Sequence, residues 1–353
     1  MSVASASNAS VLGGDALVSP PPPGMLMAHI LERAASLHPS RGLLHLDANG
    51  NATRQNYPDL LSESERIAGG LRSAGVAAGD RVIFQLDRSG DFFPAFWACM
   101  LAGFIPVPVS LPPDYDQAHP AVLKLRNAWQ TLGTPVILTS RERASALERC
   151  GVQMAAGWTV TSIDKVRQAP PDAVRHTSVE TDTVVLFLTS GSTGIPKAVA
   201  LSHHNLVAQC AGNIQVNDVT ERDVSLNWMP LDHVGALIML HLRDVFAGCD
   251  QAHVLTEAVL SNPGNWLRWI DRYRATNTWA PNFAFALVND LFDTFENEAW
   301  DLSCLRFAIN GGEAVVSRTA RRFLALLARF KLPPTAIRPA WGMSETCSGT
   351  TFG

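Results

Sequence analysis

From Tyr57 onward the chain alternates between segments whose apolar residues recur at helical spacing and short continuous apolar runs. That alternation constrains the fold more than any other feature, because strands separated by helix-length segments pair in parallel, with helices covering the sheet faces. Tyr57–Ala74 has helical spacing, Arg81–Gln85 reads as a strand, Asp91–Ala102 as a helix, and Phe104–Val109 and Pro135–Thr139 as strands. Further on, Thr183–Leu188 is strand-like, His204–Ala211 and Trp266–Arg274 are helical, Leu305–Ile309 is a strand, Arg318–Ala328 a helix and Ile337–Pro339 a strand. The expected fold class is α/β. Residues 1–24, rich in Ser, Ala, Gly and Pro and closing on Pro20–Pro23, bury too little apolar surface to offset ordering and read as a flexible leader. The looser stretch Ala169–Thr181 is the expected junction between a first layered unit, residues 25–180, and a second, residues 181–353.

With 353 residues, 47% of them hydrophobic, 17% charged and a formal net charge of -4, the chain cannot be wholly disordered. The absence of like-charge runs argues against a nucleic-acid or anionic-membrane surface, leaving small molecules and specific proteins as partners. Residues Phe92–Pro113 carry no charge over a span long enough to cross a bilayer, yet Pro94, Pro106 and Pro108 interrupt them and Gly103 divides a helix-like half from a strand-like half. A buried helix leading into a buried strand is expected. The six cysteines form no C-x-x-C pair, which fits neither a disulfide framework nor a zinc site, and no Lys or Arg precedes Arg33. Free thiols and the missing signal n-region together suggest the cytoplasm.

Chemistry concentrates at Leu188-Thr-Ser-Gly-Ser-Thr-Gly-Ile-Pro-Lys197, between an apolar strand and a helix opening near Ser202. Glycines interleaved with small hydroxyls let backbone N–H groups approach an anion, and Lys197 adds a charge. A P-loop NTPase would need G-x-x-x-x-G-K-[ST]; here Pro196 separates Gly194 from Lys197, and Ala198 stands where a magnesium-binding hydroxyl is required.

This segment resembles the phosphate loop of the adenylate-forming (AMP-forming) acid:thiol ligases, the superfamily of acyl-CoA synthetases, firefly luciferase and peptide-synthetase adenylation domains. Asn56-Tyr-Pro-Asp-Leu60, Gly79-Asp-Arg-Val82, Ala102–Val109, Trp228–Gly235, Asn310-Gly-Gly-Glu-Ala314 and Trp341-Gly-Met-Ser-Glu345 are similar to its other motifs and follow in the same order. Ala102–Pro113, Asn265–Thr276 with Ala280–Ala284, and Asp301–Arg306 look most like the fatty-acyl-AMP ligases and the loading domains of polyketide and peptide assembly lines.

The resemblance implies ATP and Mg²⁺ as cofactors and a carboxylic acid activated as acyl-AMP, then passed to the phosphopantetheine thiol of a carrier protein or to CoA. It assigns the β- and γ-phosphates to Thr189, Ser190, Gly191, Ser192, Thr193, Gly194 and Lys197, with Ser344 at the α-phosphate and Glu345 holding the metal. Gly311, Gly312, Glu313 and Trp341 would take the adenine, and His233 would gate the site or orient the carboxylate, so that His233, Lys197 and Glu345 form the catalytic set. Trp228, His233, Val234, Trp279, Phe283, Ala308, Asn310, Ala340 and Ser348 would wall the acid pocket, unless the tryptophans simply pack the core. An aromatic pocket of this kind suits a short acyl, aryl or onium acid. Amino-acid-activating relatives carry Asp where this chain has Val234, and a buried ammonium without a counter-charge is costly, so an ordinary α-amino acid is disfavoured; Asp232 stands close enough to take that role under a shifted alignment.

The resemblance also implies two αβα-layered subdomains, with a barrel subdomain, a ribose-binding Asp and a C-terminal lid bearing a catalytic Lys expected beyond Gly353. The chain as given is therefore expected to adenylate poorly. The competing expectations are an acyl-CoA ligase, and a nucleotide- or acid-binding module without turnover.

Overall fold

The apolar runs pair as the alternation requires. The computed structural model describes residues 16–116, 119–154, 157–189 and 197–353. Its strands are β1 (Gly42–Leu46), β2 (Ala52–Asn56), β3 (Arg81–Gln85), β4 (Ile105–Pro108), β5 (Val136–Thr139), β6 (Val160–Ser162), β7 (Thr183–Thr189), β8 (Lys197–Ser202), β9 (Val224–Asn227), β10 (Asp250–His253), β11 (Asn277–Ala280), β12 (Phe307–Asn310), β13 (Ile337–Met343) and β14 (Ser348–Phe352). A smaller parallel sheet has the order β4-β3-β5-β6, and a larger one the order β14-β13-β12-β11-β9-β10-β1-β2. Only the β1/β2 and β13/β14 pairs of the larger sheet are antiparallel, while β7 and β8 form a separate hairpin.

Although β1 and β2 precede the smaller sheet in the chain, they join the larger one, so the sheets do not divide at the junction expected near residue 180. The cause is local. Asp250, at the start of β10, accepts from the Gly42 N–H and from the guanidinium groups of Arg41 (3.0 Å) and Arg54 (2.9 Å), which sets Leu44 opposite Ala252. Burial alone would raise the Asp250 pKa, but these donors outweigh it and hold the carboxyl below its ordinary value. Residues 16–24 of the expected leader are also tied down. Gln215 accepts from Val18 N and donates to Ala16 O, and Glu180 accepts from Gly24 N.

The uncharged segment folds as a helix, Ser89–Ala102, followed by β4. Pro94 does not break that helix. Lacking an N–H, it leaves the carbonyl of Gly90 free, and Arg167 Nη2 donates to that oxygen at 3.0 Å. The helix stops at Gly103 (φ +76°), where any Cβ would strike the His176 ring at 2.4 Å. Among the described residues no helix is long and apolar enough to cross a membrane, and all six thiols are free.

Between the sheets, the helices Met27–Leu37, Tyr57–Ser73 and Ser89–Ala102 and a π-helix, Gly235–Leu242, share one core with Val82, Phe84 and Leu138 of the smaller sheet and Leu43 of the larger. The opposite face of the larger sheet is covered by helices Gly264–Tyr273, Asn282–Asp290 and Ser317–Leu327 through Trp266, Phe285 and Phe323.

Candidate active site

The register of the β7/β8 hairpin places Thr189 opposite Lys197 at the end where the two strands are joined, with Thr189 half-buried and Lys197 exposed. Ser190, Gly191, Ser192, Thr193 and Gly194 lie outside the described residues. The helix His203–Asn217 follows β8, and from it Gln209 donates to the Gly349 carbonyl of β14 at 2.7 Å. This bond ties the hairpin's downstream helix to the segment carrying Trp341, Ser344 and Glu345.

That segment turns tightly between β13 and β14. Thr346 Oγ1 accepts from Met343 N and lies within hydrogen-bond distance of the carbonyls of Met343 and Ser348, and Cys347 and Ser348 take positive φ values of 58° and 102°. Ser344 is thereby left half-buried and Glu345 exposed, with no ion-pair partner for Glu345 among the described residues. No group of three or more His, Cys, Asp or Glu side chains able to hold a metal exists among them. A lone, free carboxylate fits a magnesium ion that takes its remaining ligands from water and nucleotide phosphates rather than an all-protein cage.

Strand β12 is followed by Gly311-Gly312-Glu313. A Cβ on Gly311 would meet the Ala340 carbonyl at 2.8 Å, so only glycine lets this loop lie against β13. Glu313 Oε1 accepts from Phe283 N at 2.6 Å and anchors the loop to the helix Asn282–Asp290. Trp341 is 58% exposed, an open aromatic face beside a flat glycine backbone.

On the acid side, the His233 N–H donates to the Pro230 carbonyl, and Leu237 N donates back to the His233 carbonyl at 3.2 Å, which starts the π-helix immediately after Val234. His233 is exposed and Val234 half-buried. Asp232 accepts from Ser110 Oγ at 2.6 Å. Ser110, Asp232 and His233 all line a cleft of about 1330 Å³, which also reaches Asn227, His253 and Arg88.

Trp279 is 9% exposed and packs with Met239, Ile309 and Ala340; its ring lies where a Cβ on Gly235 would be, 2.4 Å away, and 3.2 Å from one on Gly312. Of the expected pocket walls, the structure brings Trp279 and Ala340 together beside Gly235, the residue that follows Val234, and buries Ser348 at the adjoining turn. It does not bring in four others. Trp228 sits in the outer core, 5.7 Å from the Trp266 ring, because β9 turns it away from the π-helix. Phe283 is 43% exposed in the first turn of its helix. Trp279 pairs with Ile309, so alternation turns Ala308 and Asn310 to the opposite face, where Asn310 Nδ2 reaches Asn282 Oδ1 at 3.4 Å. Gly235, Met239 and Ile309 stand against Trp279 instead, and the two-residue period of β12, counted from Trp279's partner, is the signal that finds Ile309.

Comparison with known proteins points to one family. The nonribosomal peptide synthetase atrA of Aspergillus terreus is 35% identical over 308 residues, covering 85% of this chain and 32% of that protein. The solved adenylation domain of a keto acid-selecting peptide-synthetase module bound to keto acyl adenylate is 40% identical with a TM-score of 0.90, covering 94% of this chain and 60% of that one. The McyG A-PCP structure complexed with phenylalanyl-adenylate is 38% identical with a TM-score of 0.91, covering 95% and 53%. The chain thus spans about a third of the length of the curated relatives it matches. Residues 31–353 match the family described as AMP-binding enzyme, and the chain belongs to that family.

Proposed function

We propose that this chain is the nucleotide- and acid-binding part of an adenylation domain that activates a carboxylic acid without an α-ammonium group, an α-keto acid above all, and delivers it to the phosphopantetheine thiol of a carrier protein. The observation that carries this reading is the pair Val234 and Asp232. Val234 offers no charge at the head of the pocket, and Asp232, the alternative partner for an ammonium, is engaged by Ser110 instead. An unpaired buried ammonium is costly, whereas a ketone needs no counter-charge. The keto acyl adenylate held by the 40% identical neighbour supports the same substrate class.

In this reading Thr189 and Lys197 hold the outgoing phosphates, Trp341 and the Gly311–Gly312 backbone hold the adenine, and His233 orients the carboxylate. Glu345 would hold Mg²⁺, which supplies charge neutralisation at the phosphates. The protein's work is positioning and electrostatic stabilisation rather than covalent chemistry. Trp279, backed against Gly235 and Gly312, leaves room for a short or flat side chain. The cleft that reaches His233 would admit the thiol arm. Its four arginines already face carboxylates: Arg54 with Asp250, Arg88 with Glu142, Arg143 with Asp87, and Arg167 with Glu63 and Asp91. That pairing suits a neutral pantetheine better than the phosphorylated nucleotide of CoA.

The test is ATP–pyrophosphate exchange by the full-length protein with α-keto and α-amino acids of matched side chain, followed by transfer to carrier protein or CoA. Keto acids should exchange and amino acids should not, and Lys197→Ala or Glu345→Ala should lower the rate by ~10²–10³. Preference for the amino acids would overturn the substrate assignment.

A further inference from the structure

Between the two sheets lies a chain of buried polar side chains that no step above uses. His241, in the last turn of the π-helix, is fully buried, and its two ring nitrogens face opposite kinds of partner. Trp97 Nε1 is a donor only and donates to His241 Nε2 at 2.8 Å, so the ring proton sits on Nδ1 and is donated to Gln251 Oε1 at 2.7 Å. The same Gln251 oxygen accepts from His253 Nε2 at 2.8 Å, which leaves His253 Nδ1 to accept from Asn227 Nδ2 at 3.3 Å. The Gln251 amide nitrogen lies 3.1 Å from the Tyr57 hydroxyl and 3.4 Å from the backbone carbonyl of His241 itself. The Phe93 ring stacks on the His241 imidazole, centroids 3.7 Å apart and planes 15° from parallel. Both histidines are thus held as single neutral tautomers, and burial pushes their pKa values down in agreement.

The helix that carries His241 is itself unusual. π-helical geometry occurs mostly as single-turn bulges, frequently at functional sites, whereas here it runs through Gly235–Leu242 before the α-helix Arg243–Ala247 takes over. A slip to α-helical register at one end would turn the residues before it by about 100° and move them by about 1.5 Å. Those residues are His233 and Val234, and Gly235 pressed against Trp279. If the site needed only filling, an apolar side chain would serve at lower desolvation cost than an imidazole. The imidazole instead links α-helix, π-helix and β10 through bonds of fixed direction, and Gln251 closes the loop on the helix backbone.

We propose that His241 is a positioning residue: by clamping the end of the π-helix to Trp97 and Gln251 it holds the π register, and so sets where His233 and Val234 stand at the head of the acid pocket. The proposal rests on the adenylation reading for its consequence in catalysis but not for the clamp itself. In the full-length protein, His241→Leu should raise the KM for the acid about tenfold or more while kcat and the KM for ATP stay within about threefold, and His241→Gln, which keeps one acceptor and one donor, should restore most of the loss. Hydrogen exchange of the Gly235–Leu242 amides should accelerate in His241→Leu and not in His241→Gln. Trp97→Phe removes the donor from the other side and gives the same pattern should His241→Leu fail to fold. Unchanged acid KM with unchanged amide protection overturns the proposal, as does a loss confined to kcat, the mark of a merely smaller active fraction. If the wild-type protein shows no acid-dependent exchange, the adenylation reading falls, and the amide protection alone still decides the clamp.

Discussion

Gly235→Ala tests whether Trp279 forms the floor of the acid pocket by direct contact with the π-helix. The added Cβ would lie 2.4 Å from ring carbons Cη2 and Cζ3 and 2.9 Å from Cε3. Carbon atoms rest at about 3.5–4.0 Å, so the ring must retreat by about 1 Å or more. Trp279 is 9% exposed and wedged among Met239, Ile309 and Ala340, so the retreat has no void to enter. Overpacking of this kind costs ~1–3 kcal/mol. Trp279→Ala alone should cost ~3–5 kcal/mol through lost contact and cavity. In that background the new methyl group meets no ring, and alanine's advantage over glycine in a helix should make Gly235→Ala neutral or stabilising by up to ~1 kcal/mol. Urea unfolding of the four proteins should therefore show the double variant more stable than the sum of the singles by ~1–3 kcal/mol. In exchange assays Gly235→Ala should raise the KM of bulky acids more than that of small ones. Additivity within about 0.5 kcal/mol would show that the two residues do not touch in the way described and would refute the pocket floor.

Burial lowers the pKa of His203 to about 4, that of His241 to about 3, and that of His253 well below the ordinary value. These rings are neutral when folded and bind protons first when unfolded, so stability should be fully present above about pH 6.5 and fall below it, each ring contributing up to ~1.4 kcal/mol per pH unit until its folded pKa is reached. Urea midpoints from pH 7 to 5 check this, and His241→Gln should remove about one ring's share of the slope. A second test concerns Arg243 and Asp244, both fully buried and paired at 2.5 Å, with Arg243 also bonded to Asn277 Oδ1 at 2.6 Å. Asp244→Asn should cost ~3–5 kcal/mol because it strands the guanidinium, whereas the double change Arg243→Met with Asp244→Leu should cost clearly less; equal losses in thermal unfolding would show that the charge is not the issue.

Strands such as β3 and β5 are legible in the chain because three apolar residues in a row, Val82-Ile-Phe84 and Val136-Ile-Leu138, suit a strand buried on both faces of a parallel sheet. The pair β1/β2 is not, since Ala52-Thr-Arg-Gln-Asn56 has the composition of a loop and becomes a strand only because Asp250, far along the chain, receives Arg41 and Arg54. The π-helix is hidden for a different reason. Gly-Ala-Leu-Ile-Met-Leu-His-Leu is apolar but for His241, so it shows no face whose period could separate five residues per hydrogen-bonded turn from four. In the candidate site, motif order points to the loop after β12 and to the turn bearing Glu345, but it does not tell which face of a strand a residue takes: Ile309 shares the face of Trp279, Ala308 and Asn310 take the other, and one residue is the whole difference between two faces. The motif carries no sign of which side Trp228 takes, and only the sheet shows it to be on the far side.

The link between β1 and β10 also has a consequence for how this chain is made. Leu43 pairs with Gln251, positions that differ by 208 residues. At a synthesis rate of about 5–20 residues per second, the first hairpin leaves the ribosome roughly 10–40 seconds before its partner strand does. A two-stranded hairpin is marginal by itself, and during that interval β1 presents an unpaired edge to the surroundings. The larger sheet therefore closes late, by a long-range pairing of the slow kind. Any chain released before residue 254 would carry an open strand edge capped by two unneutralised arginines, a species suited to holdase chaperones rather than to spontaneous folding.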